Sequence, residues 1–299
     1  MESDLFESVF HLIQKRKNPD GSFSFAHDRK DPISPFCNFS IELGIIEWES
    51  NYSKTLFELR ELINMNHEKL SMRLERVAIH IPKGSILADI GSDHAYLPCY
   101  AVTNGLCDSA IAGEVVEGPY QSARKQVAMT GLGDKIEVRK GDGLEVLNPD
   151  EATCITIAGM GGTLISSILE SGKAKLGKAD RLILQPNVGA ANVRSWLIEN
   201  GWELCGEEIL EEDGKIYEIL IAKKGDPLRP YGVNKQTGLT FGPFLREQFS
   251  DIFIKKWQLE KKHLERIIEQ LDESGRSGLE TKRNELKSQI SVIEEVLKG

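Results

Sequence analysis

The stretch ILADIGSDHAYLP, residues 86–98, decides the fold. It begins as an apolar run, passes through Gly91 and turns into a helical pattern, which is the first half of a strand–helix–strand unit. Gly91 permits a tight turn where the strand ends, and the small residues around it let a ligand approach the backbone. The stretch therefore predicts the first strand of a parallel sheet with a binding loop at its carboxyl end.

The same alternation continues along the chain. Apolar runs typical of strands occupy 86–90, 110–113, 135–139, 154–159 and 181–186, and helical patterns occupy 94–104, 118–130, 162–170 and 190–200. Two further strand candidates, near 203–210 and 216–222, flank EEDGK, whose Asp-Gly pair predicts a hairpin. We therefore predict an α/β fold whose sheet is parallel except at the end that this hairpin forms.

The chain divides into three regions by sequence texture. Residues 1–64 are irregular, carry no catalytic motif and are interpreted as an N-terminal extension, whereas residues 65–225 carry the strand–helix alternation. In residues 226–299, apolar residues repeat at three- and four-residue steps on both sides of SGRSG, residues 274–278. This repeat predicts an antiparallel helical hairpin, either solvated or used to grip a substrate.

Composition excludes several classes of protein. The 299 residues include 37 Lys and Arg against 46 Asp and Glu, a formal net charge of −9, which excludes a uniformly basic nucleic-acid coat but allows a local basic patch. The five cysteines form no C-x-x-C pair, so we predict reduced thiols, no metal site and a cytoplasmic location. The sequence has no apolar run of about 18 residues, so we predict no membrane span.

The loop after the first strand is acidic. Asp89 lies at the end of the strand, and Asp93 and His94 follow Gly91 and Ser92. The spacing lacks the G-x-G-x-x-G pattern of dinucleotide-binding proteins, and the two carboxylates would repel a phosphate. An acidic loop suits a cationic ligand such as S-adenosylmethionine, which carries a sulfonium and an ammonium group. A tight structural turn is the alternative interpretation.

Acidic residues also follow the second and third strands. Glu114, with Val115 beside it, lies about 20 residues after the glycine loop, where a carboxylate can accept hydrogen bonds from two ribose hydroxyls. Asp142 and Gly143 follow the third strand, where Asp142 is placed to accept a hydrogen bond from an adenine amino group and Leu144 to cover the ring. A plain Asp-Gly turn is the alternative for the third strand.

The fourth and fifth strands end in residues suited to an acceptor. IAGMGG, residues 157–162, places Gly159 and Met160 at a strand-to-helix junction where a methyl group and its acceptor can meet. Gln185 and Asn187 end the fifth strand, and their amides suit the edge of a heterocyclic base. A structural glycine turn and simple helix caps are the alternatives.

Together these motifs resemble a known family. Their order on one alternating sheet is similar to that of class I S-adenosylmethionine-dependent methyltransferases. More closely, ADIGSDHAYLPCYAV, AIAGEV, GDGLEV, TIAGMGG and LILQPN resemble the bacterial tRNA (adenine-22-N1)-methyltransferases, over about residues 65–299. The resemblance implies a Rossmann-like domain, a C-terminal coiled-coil domain and methylation of a D-loop adenine at N1. It implies cofactor contacts at Asp89, Gly91, Ser92, Asp93, His94, Glu114, Val115, Asp142, Gly143, Ala158, Gly159 and Met160.

The reaction that the resemblance implies suggests roles on the acceptor side. The catalytic candidates, which would align the methyl group and orient the adenine, are Asp93, Gly159, Met160, Gln185 and Asn187. Because tRNA is the implied partner, phosphate contacts are predicted at Lys69, Arg73, Arg76, Lys83 and Arg194. On an acidic protein these cations must form a one-sided patch. We expect a monomer.

Two other functions remain open from the sequence. A methyltransferase for a small molecule or a protein would use the same sheet, with the helical hairpin as a dimerisation device. A non-catalytic cofactor-sensing or RNA-binding protein would bind the cofactor without transferring its methyl group. The resemblance does not cover residues 1–64, and we expect this segment to be a mis-called start or a dispensable extension.

Overall fold

The computed structural model describes residues 70–273 and 279–298. The predictions for residues 1–64, for Lys69 and for the turn at 274–278 fall outside these ranges. The strands are β1 (Ser85–Ile90), β2 (Cys107–Glu114), β3 (Ile136–Lys140), β4 (Cys154–Gly161), β5 (Arg181–Val188), β6 (Trp202–Glu212) and β7 (Lys215–Lys224). The helices are α1 (Met72–Ala78), α2 (Tyr96–Thr103), α3 (Glu117–Met129), α4 (Gly162–Ser171), α5 (Ala190–Glu199), α6 (Lys235–Phe241), α7 (Pro243–Gln248), α8 (Asp251–Glu273) and α9 (Glu280–Leu297).

All seven strands belong to one sheet with the order β3-β2-β1-β4-β5-β7-β6. Strands β1 to β5 pair in parallel, whereas β7 pairs antiparallel to both β5 and β6. This confirms the predicted Rossmann-like α/β fold with an antiparallel hairpin at one end. The strand order reverses at β1, which lies between β2 and β4, and open α/β sheets bind ligands at the carboxyl ends of strands around such a point.

Two hydrophobic cores cover the two faces of the sheet. Leu87 packs in the core that includes α1, α2 and α3, whereas its neighbour Ala88 packs in the core that includes α4 and α5. Because both faces are covered, the central strands are apolar along their length instead of alternating with polar residues. Ile165 and Leu169 of α4 are fully buried and lie four residues apart, on the same side of the helix.

The C-terminal segment forms the predicted helical hairpin. Helices α8 and α9 run antiparallel, since Lys261 pairs with Glu294 at 2.5 Å and Asp272 pairs with Arg283 further along. A third hydrophobic cluster joins the hairpin to the preceding helices and includes Phe241, Leu245, Phe253, Trp257, Leu264, Leu286 and Ile293. The seven-residue α6 and six-residue α7 are absent from the sequence prediction, because such short helices show too few periodic positions. The domain boundary at residue 225 stays a prediction.

A buried ionic network attaches the hairpin to the sheet. The Arg194 side chain is fully buried, donates to Glu207 at 2.6 Å through Nε and contacts Glu218 at 2.5 Å through Nη2. Lys256 of α8 pairs with the same Glu218, and Arg194 Nη1 donates to the Leu239 carbonyl at 3.1 Å. The prediction that Arg194 binds RNA phosphate is therefore wrong, because its guanidinium has no exposed surface and two carboxylates already balance its charge.

Candidate active site

A buried carboxylate anchors the loop after β1. Asp89 is 4% exposed and accepts hydrogen bonds at 2.6 Å from the hydroxyls of Ser92 and Thr156. Burial raises the pKa of Asp89, and the two hydrogen bonds oppose that rise. The sequence predicted direct contact between Asp89 and a cationic ligand. In the structure one carboxylate oxygen accepts from Ser92 of the loop and the other from Thr156 of β4, so Asp89 joins the loop to the neighbouring strand.

The backbone of this loop is strained where the sequence predicts a binding turn. Gly91 has a φ of +69°, and a Cβ at this position would overlap the terminal methyl of Met160. Asp93 and Ala95 also have positive φ values, 46° and 56°, which delay the start of α2 from the predicted residue 94 to residue 96. A positive φ at a non-glycine residue costs of order 1–3 kcal/mol, and such strained residues cluster at ligand-binding sites.

Glu114 lies at the end of β2, beside this loop. It is 5% exposed, and its Oε1 accepts a hydrogen bond from the backbone N–H of Asp93. Burial raises the pKa of Glu114, and the neighbouring charges of Asp93 and Asp89 raise it further. One hydrogen bond uses part of the capacity of a carboxylate, so Oε2 can accept further donors.

The remaining predicted cofactor residues line the same edge. The Gly141 N–H donates to the Glu114 carbonyl at 2.9 Å, so the turn that carries the exposed Asp142 begins beside Glu114. Val115 is 55% exposed. Leu144 is a core residue, 1% exposed, so the prediction that it covers an adenine ring is wrong.

His94 extends the loop on its exposed side. Its ring stacks on that of Tyr96 with 5.2 Å between centroids and an interplanar angle of 18°, and its Nε2 lies 3.6 Å from Asp93 Oδ1. About 44% of the His94 side chain and 74% of the Asp93 side chain are exposed. Both side chains are therefore accessible to a ligand.

The loop after β4 is clamped by two amide side chains from β5. Gln185 Oε1 accepts from the Gly159 N–H at 2.9 Å, and Asn187 Nδ2 donates to the Gly159 carbonyl at 2.8 Å. Gln185 Nε2 also donates to Asn187 Oδ1 at 3.2 Å. Gln185 is fully buried, so the prediction that it contacts an adenine edge is wrong, and its amide positions the Gly159 peptide instead. Asn187 is exposed and Met160 partly exposed.

Arg73 reaches this loop from α1. Its Nη1 donates to Gln185 Oε1, and its guanidinium lies 5.3 Å from the centre of the Tyr217 ring. A Cβ on Gly159 would lie 3.7 Å from Arg73 Nη1. The sequence analysis predicted that Arg73 contacts the RNA backbone. The order of residues does not reveal that α1 packs next to β5 and β7, which brings the Arg73 guanidinium to Gln185 and Tyr217.

Comparisons with known proteins identify the family. A family model described as tRNA (adenine(22)-N(1))-methyltransferase matches residues 87–295. The Bacillus subtilis tRNA (adenine(22)-N(1))-methyltransferase is 49% identical over 235 residues, which is 78% of this chain and 99% of that relative. The chain belongs to the tRNA (adenine(22)-N(1))-methyltransferase family.

Solved structures of tRNA (adenine(22)-N(1))-methyltransferases have the same fold. The crystal structure of the B. subtilis tRNA methyltransferase is 49% identical to this chain, covers 77% of it and 99% of its own length, and has a TM-score of 0.73. A putative tRNA (m1A22) methyltransferase of Streptococcus pneumoniae, solved in complex with S-adenosyl-L-methionine, is 46% identical, covers 76% of this chain and 99% of its own, and has a TM-score of 0.68.

The other predicted RNA contacts of this methyltransferase differ in their surroundings. Arg76 forms a bidentate pair with Glu208, at 2.6 and 2.7 Å, so its charge is balanced more than the sequence suggested. Lys83 is exposed, and its RNA contact stays a prediction. Lys69 lies outside the described residues. A patch built from these cations alone is therefore weaker than predicted.

Neither a candidate metal cluster nor a candidate membrane-spanning helix occurs among the described residues. Residues 70–273 and 279–298 hold no group of three or more His, Cys, Asp or Glu side chains placed to bind a metal ion. Among the same residues, no helix is both long and apolar enough to cross a membrane.

Proposed function

We infer that this protein methylates N1 of adenine 22 in the D-loop of tRNA, with S-adenosylmethionine as the methyl donor. One observation carries the inference. In a chain of this family, the strained loop after β1, Glu114 after β2 and the clamped Gly159 loop after β4 lie on adjacent strands at one edge of the sheet. A donor site and an acceptor site are therefore side by side.

The residues at this edge fit S-adenosylmethionine. Gly91 gives the loop its turn at a φ of +69°, Glu114 retains acceptor capacity for ribose hydroxyls, and the exposed Asp142 can accept hydrogen bonds from an amino group. The exposed carboxylate of Asp93 places negative charge beside a cationic ligand, and the buried Asp89 anchors the loop that carries it. When bound, the cofactor supplies a methyl group on a sulfonium, and transfer to adenine N1 moves the positive charge from sulfur to the ring.

The acceptor side supplies alignment. Adenine N1 has an available lone pair, so no residue has to remove a proton before transfer. Gln185 and Asn187 hold the Gly159 peptide in one orientation, and Arg73 holds Gln185. Rigid alignment of this kind contributes up to about 7–11 kcal/mol in favourable cases. The exposed carboxylate of Asp93 is the candidate group to offset the positive charge that develops on the base.

The target adenine must be unpaired when it reacts. N1 lies on the Watson–Crick edge, so a paired adenine would hide the reacting atom. A D-loop nucleotide that leaves its stack therefore fits this site better than one within a helical stem.

The direct test is incubation with radiolabelled S-adenosylmethionine and unmodified tRNA, followed by nucleoside analysis. We expect label in 1-methyladenosine, and none from a transcript in which guanine replaces adenine 22. Asp89→Ala should abolish transfer, because the loop after β1 loses its anchor. Glu114→Gln should weaken cofactor binding, whereas the control Glu117→Gln changes an exposed carboxylate three residues away and should not.

Two results would contradict the function. Label in a protein or small-molecule fraction, with none in tRNA, would indicate a different methyltransferase. Tight cofactor binding without transfer to any tRNA would indicate a non-catalytic sensor. Calorimetry that detects tight binding of NAD or ATP but no binding of S-adenosylmethionine would overturn the cofactor site itself.

We also propose a cytoplasmic, monomeric enzyme with domains at 65–225 and 226–299. A tRNA substrate supports the cytoplasmic location. The buried contacts between Arg194, Glu218 and Lys256 support a hairpin that packs on its own sheet rather than on a second copy. Light scattering at increasing protein concentration tests the monomer, and a mass of twice 33.4 kDa would contradict it.

A further inference from the structure

A cleft separates the end of β5 from the helical hairpin. Its volume is about 780 Å³, within the range of small-ligand sites. Asn187 and Val188, which end β5, form one side. Gln289 and Val292 of α9 line the cleft from the hairpin, and Gln236 of α6 also lines it. We call this space the hairpin cleft.

The hairpin cleft is continuous with the acceptor side of the active site. Asn187 lines the cleft and also donates to the Gly159 carbonyl at 2.8 Å. Pro186, which precedes it, lines the cleft and pairs with Met160 in the sheet. A nucleotide next to one held at the Gly159 loop would therefore reach the hairpin cleft.

The lining suits a nucleobase rather than a phosphate. Val188 and Val292 are 72% and 41% exposed, and such aliphatic surface can cover the flat face of a base. Gln236 and Gln289 are exposed amides that both donate and accept hydrogen bonds, as a base edge requires. The exposed carboxylate of Glu260 adds an acceptor for an amino group and repels phosphate.

The positive charge in the lining is already balanced. Among the described lining residues the cation is Lys256, and its ammonium pairs with Glu218. Sequence-independent attraction of RNA to a protein depends on cations that are free to meet phosphates. The hairpin cleft lacks that feature and has the amides and aliphatic groups with which proteins recognise unpaired bases.

We propose that the hairpin cleft binds an unpaired base of the tRNA adjacent to the target adenine. This inference rests on the proposed function and deepens it, because it assigns recognition of the neighbouring nucleotide to the gap between β5 and the hairpin. Splaying one neighbour into the cleft holds the backbone on that side of the target adenine. The adenine then enters the site with N1 in a fixed orientation.

The first test fills the cleft. Val292→Trp places an indole in the space from an already exposed position, and we expect at least a 10-fold lower kcat/KM for tRNA with an unchanged Kd for S-adenosylmethionine. Val233→Trp is the matched control, because Val233 is 99% exposed and does not line the cleft. A Val292→Trp enzyme that retains the full kcat/KM would overturn the proposal.

The second test identifies the occupant. Two tRNA transcripts carry an abasic nucleotide on either the 5′ or the 3′ side of the target adenine. We expect one of these transcripts to lower kcat/KM for the unchanged enzyme by about as much as Val292→Trp lowers it for intact tRNA. With the Val292→Trp enzyme, the same transcript should cause little further loss, because coupled groups give non-additive losses. Multiplicative losses for both transcripts would show that another ligand or a structural effect explains the variant.

Failure of the proposed function would look different. The unchanged enzyme would then form no 1-methyladenosine in the intact transcript. Failure of the cleft proposal leaves that activity intact and removes only the coupling between Val292→Trp and the abasic nucleotide.

Discussion

Replacing Arg194 by Met separates a structural role from an RNA-binding role. In the structure, this guanidinium lies between Glu207 and Glu218 with no exposed surface. Met fills similar volume but leaves two buried carboxylates with Lys256 as the sole nearby cation among the described residues. Breaking a buried ion pair from one side costs about 3–5 kcal/mol, because the remaining charge is uncompensated.

The expected loss is large enough to measure by thermal unfolding. At about 2–4 °C per kcal/mol for a domain of 150–250 residues, Arg194→Met should lower Tm by about 6–20 °C. The double variant Arg194→Met/Glu207→Met should recover much of this loss, since it removes a carboxylate together with its partner and leaves Glu218 paired with Lys256. Calorimetry or circular dichroism at pH 7 measures both variants.

The control is an arginine at the surface. Arg76 pairs with Glu208 but 46% of its side chain is exposed, so Arg76→Met should cost no more than about 1 kcal/mol. The reasoning is refuted if Arg194→Met melts within about 2 °C of the unchanged protein. A loss of tRNA affinity with an unchanged Tm would restore the phosphate-binding role that the sequence suggested.

Three further predictions concern the loop conformation, the acceptor clamp and pH. Gly91→Ala should weaken S-adenosylmethionine binding, measured by calorimetry, because the added Cβ overlaps the Met160 methyl and displaces the loop. Gly214→Ala, which has a similar φ of +72° and nothing nearby, should cost about 1–2 kcal/mol of stability without affecting binding. Equal cofactor affinity in the two variants would contradict the role of Gly91. Arg73→Met should lower kcat by about 10–100-fold while the Kd for the cofactor stays unchanged, because the Gly159 loop loses its alignment. A raised KM for tRNA at constant kcat would instead indicate an RNA contact. The bidentate hydrogen bonds from Arg139 lower the pKa of Glu151 from 4.5 to about 2, so the stabilisation is present at neutral pH and is lost as the pH falls toward about 2. Glu151→Gln should therefore cost about 1–3 kcal/mol at pH 7, and the difference from the unchanged protein in urea unfolding should shrink below about pH 4. A difference that is constant with pH would contradict the ion pair.

The local sequence was sufficient to predict the strands, the loops at their carboxyl ends and the antiparallel hairpin, whereas the order of the strands in the sheet came from the structure. Each run such as ILADI is apolar because both faces of a central strand are covered, and that pattern can be read without knowing the neighbours. The acid-glycine loop after β1 and Glu114 after β2 could be located because each directly follows such an apolar run. Parallel strands joined by helices bring their carboxyl ends to one edge whatever the details of packing.

Contacts between residues distant in sequence were decided by the tertiary structure. Arg194 was read as a surface cation because a helix position by itself does not reveal that Glu207 and Glu218 of the next hairpin lie around it. Gln185 was read as a base contact because the register that places it against the Gly159 peptide belongs to the pairing of β4 and β5. The sequence determines what a side chain can bind, whereas burial and register, which depend on the whole chain, determine which partner it meets.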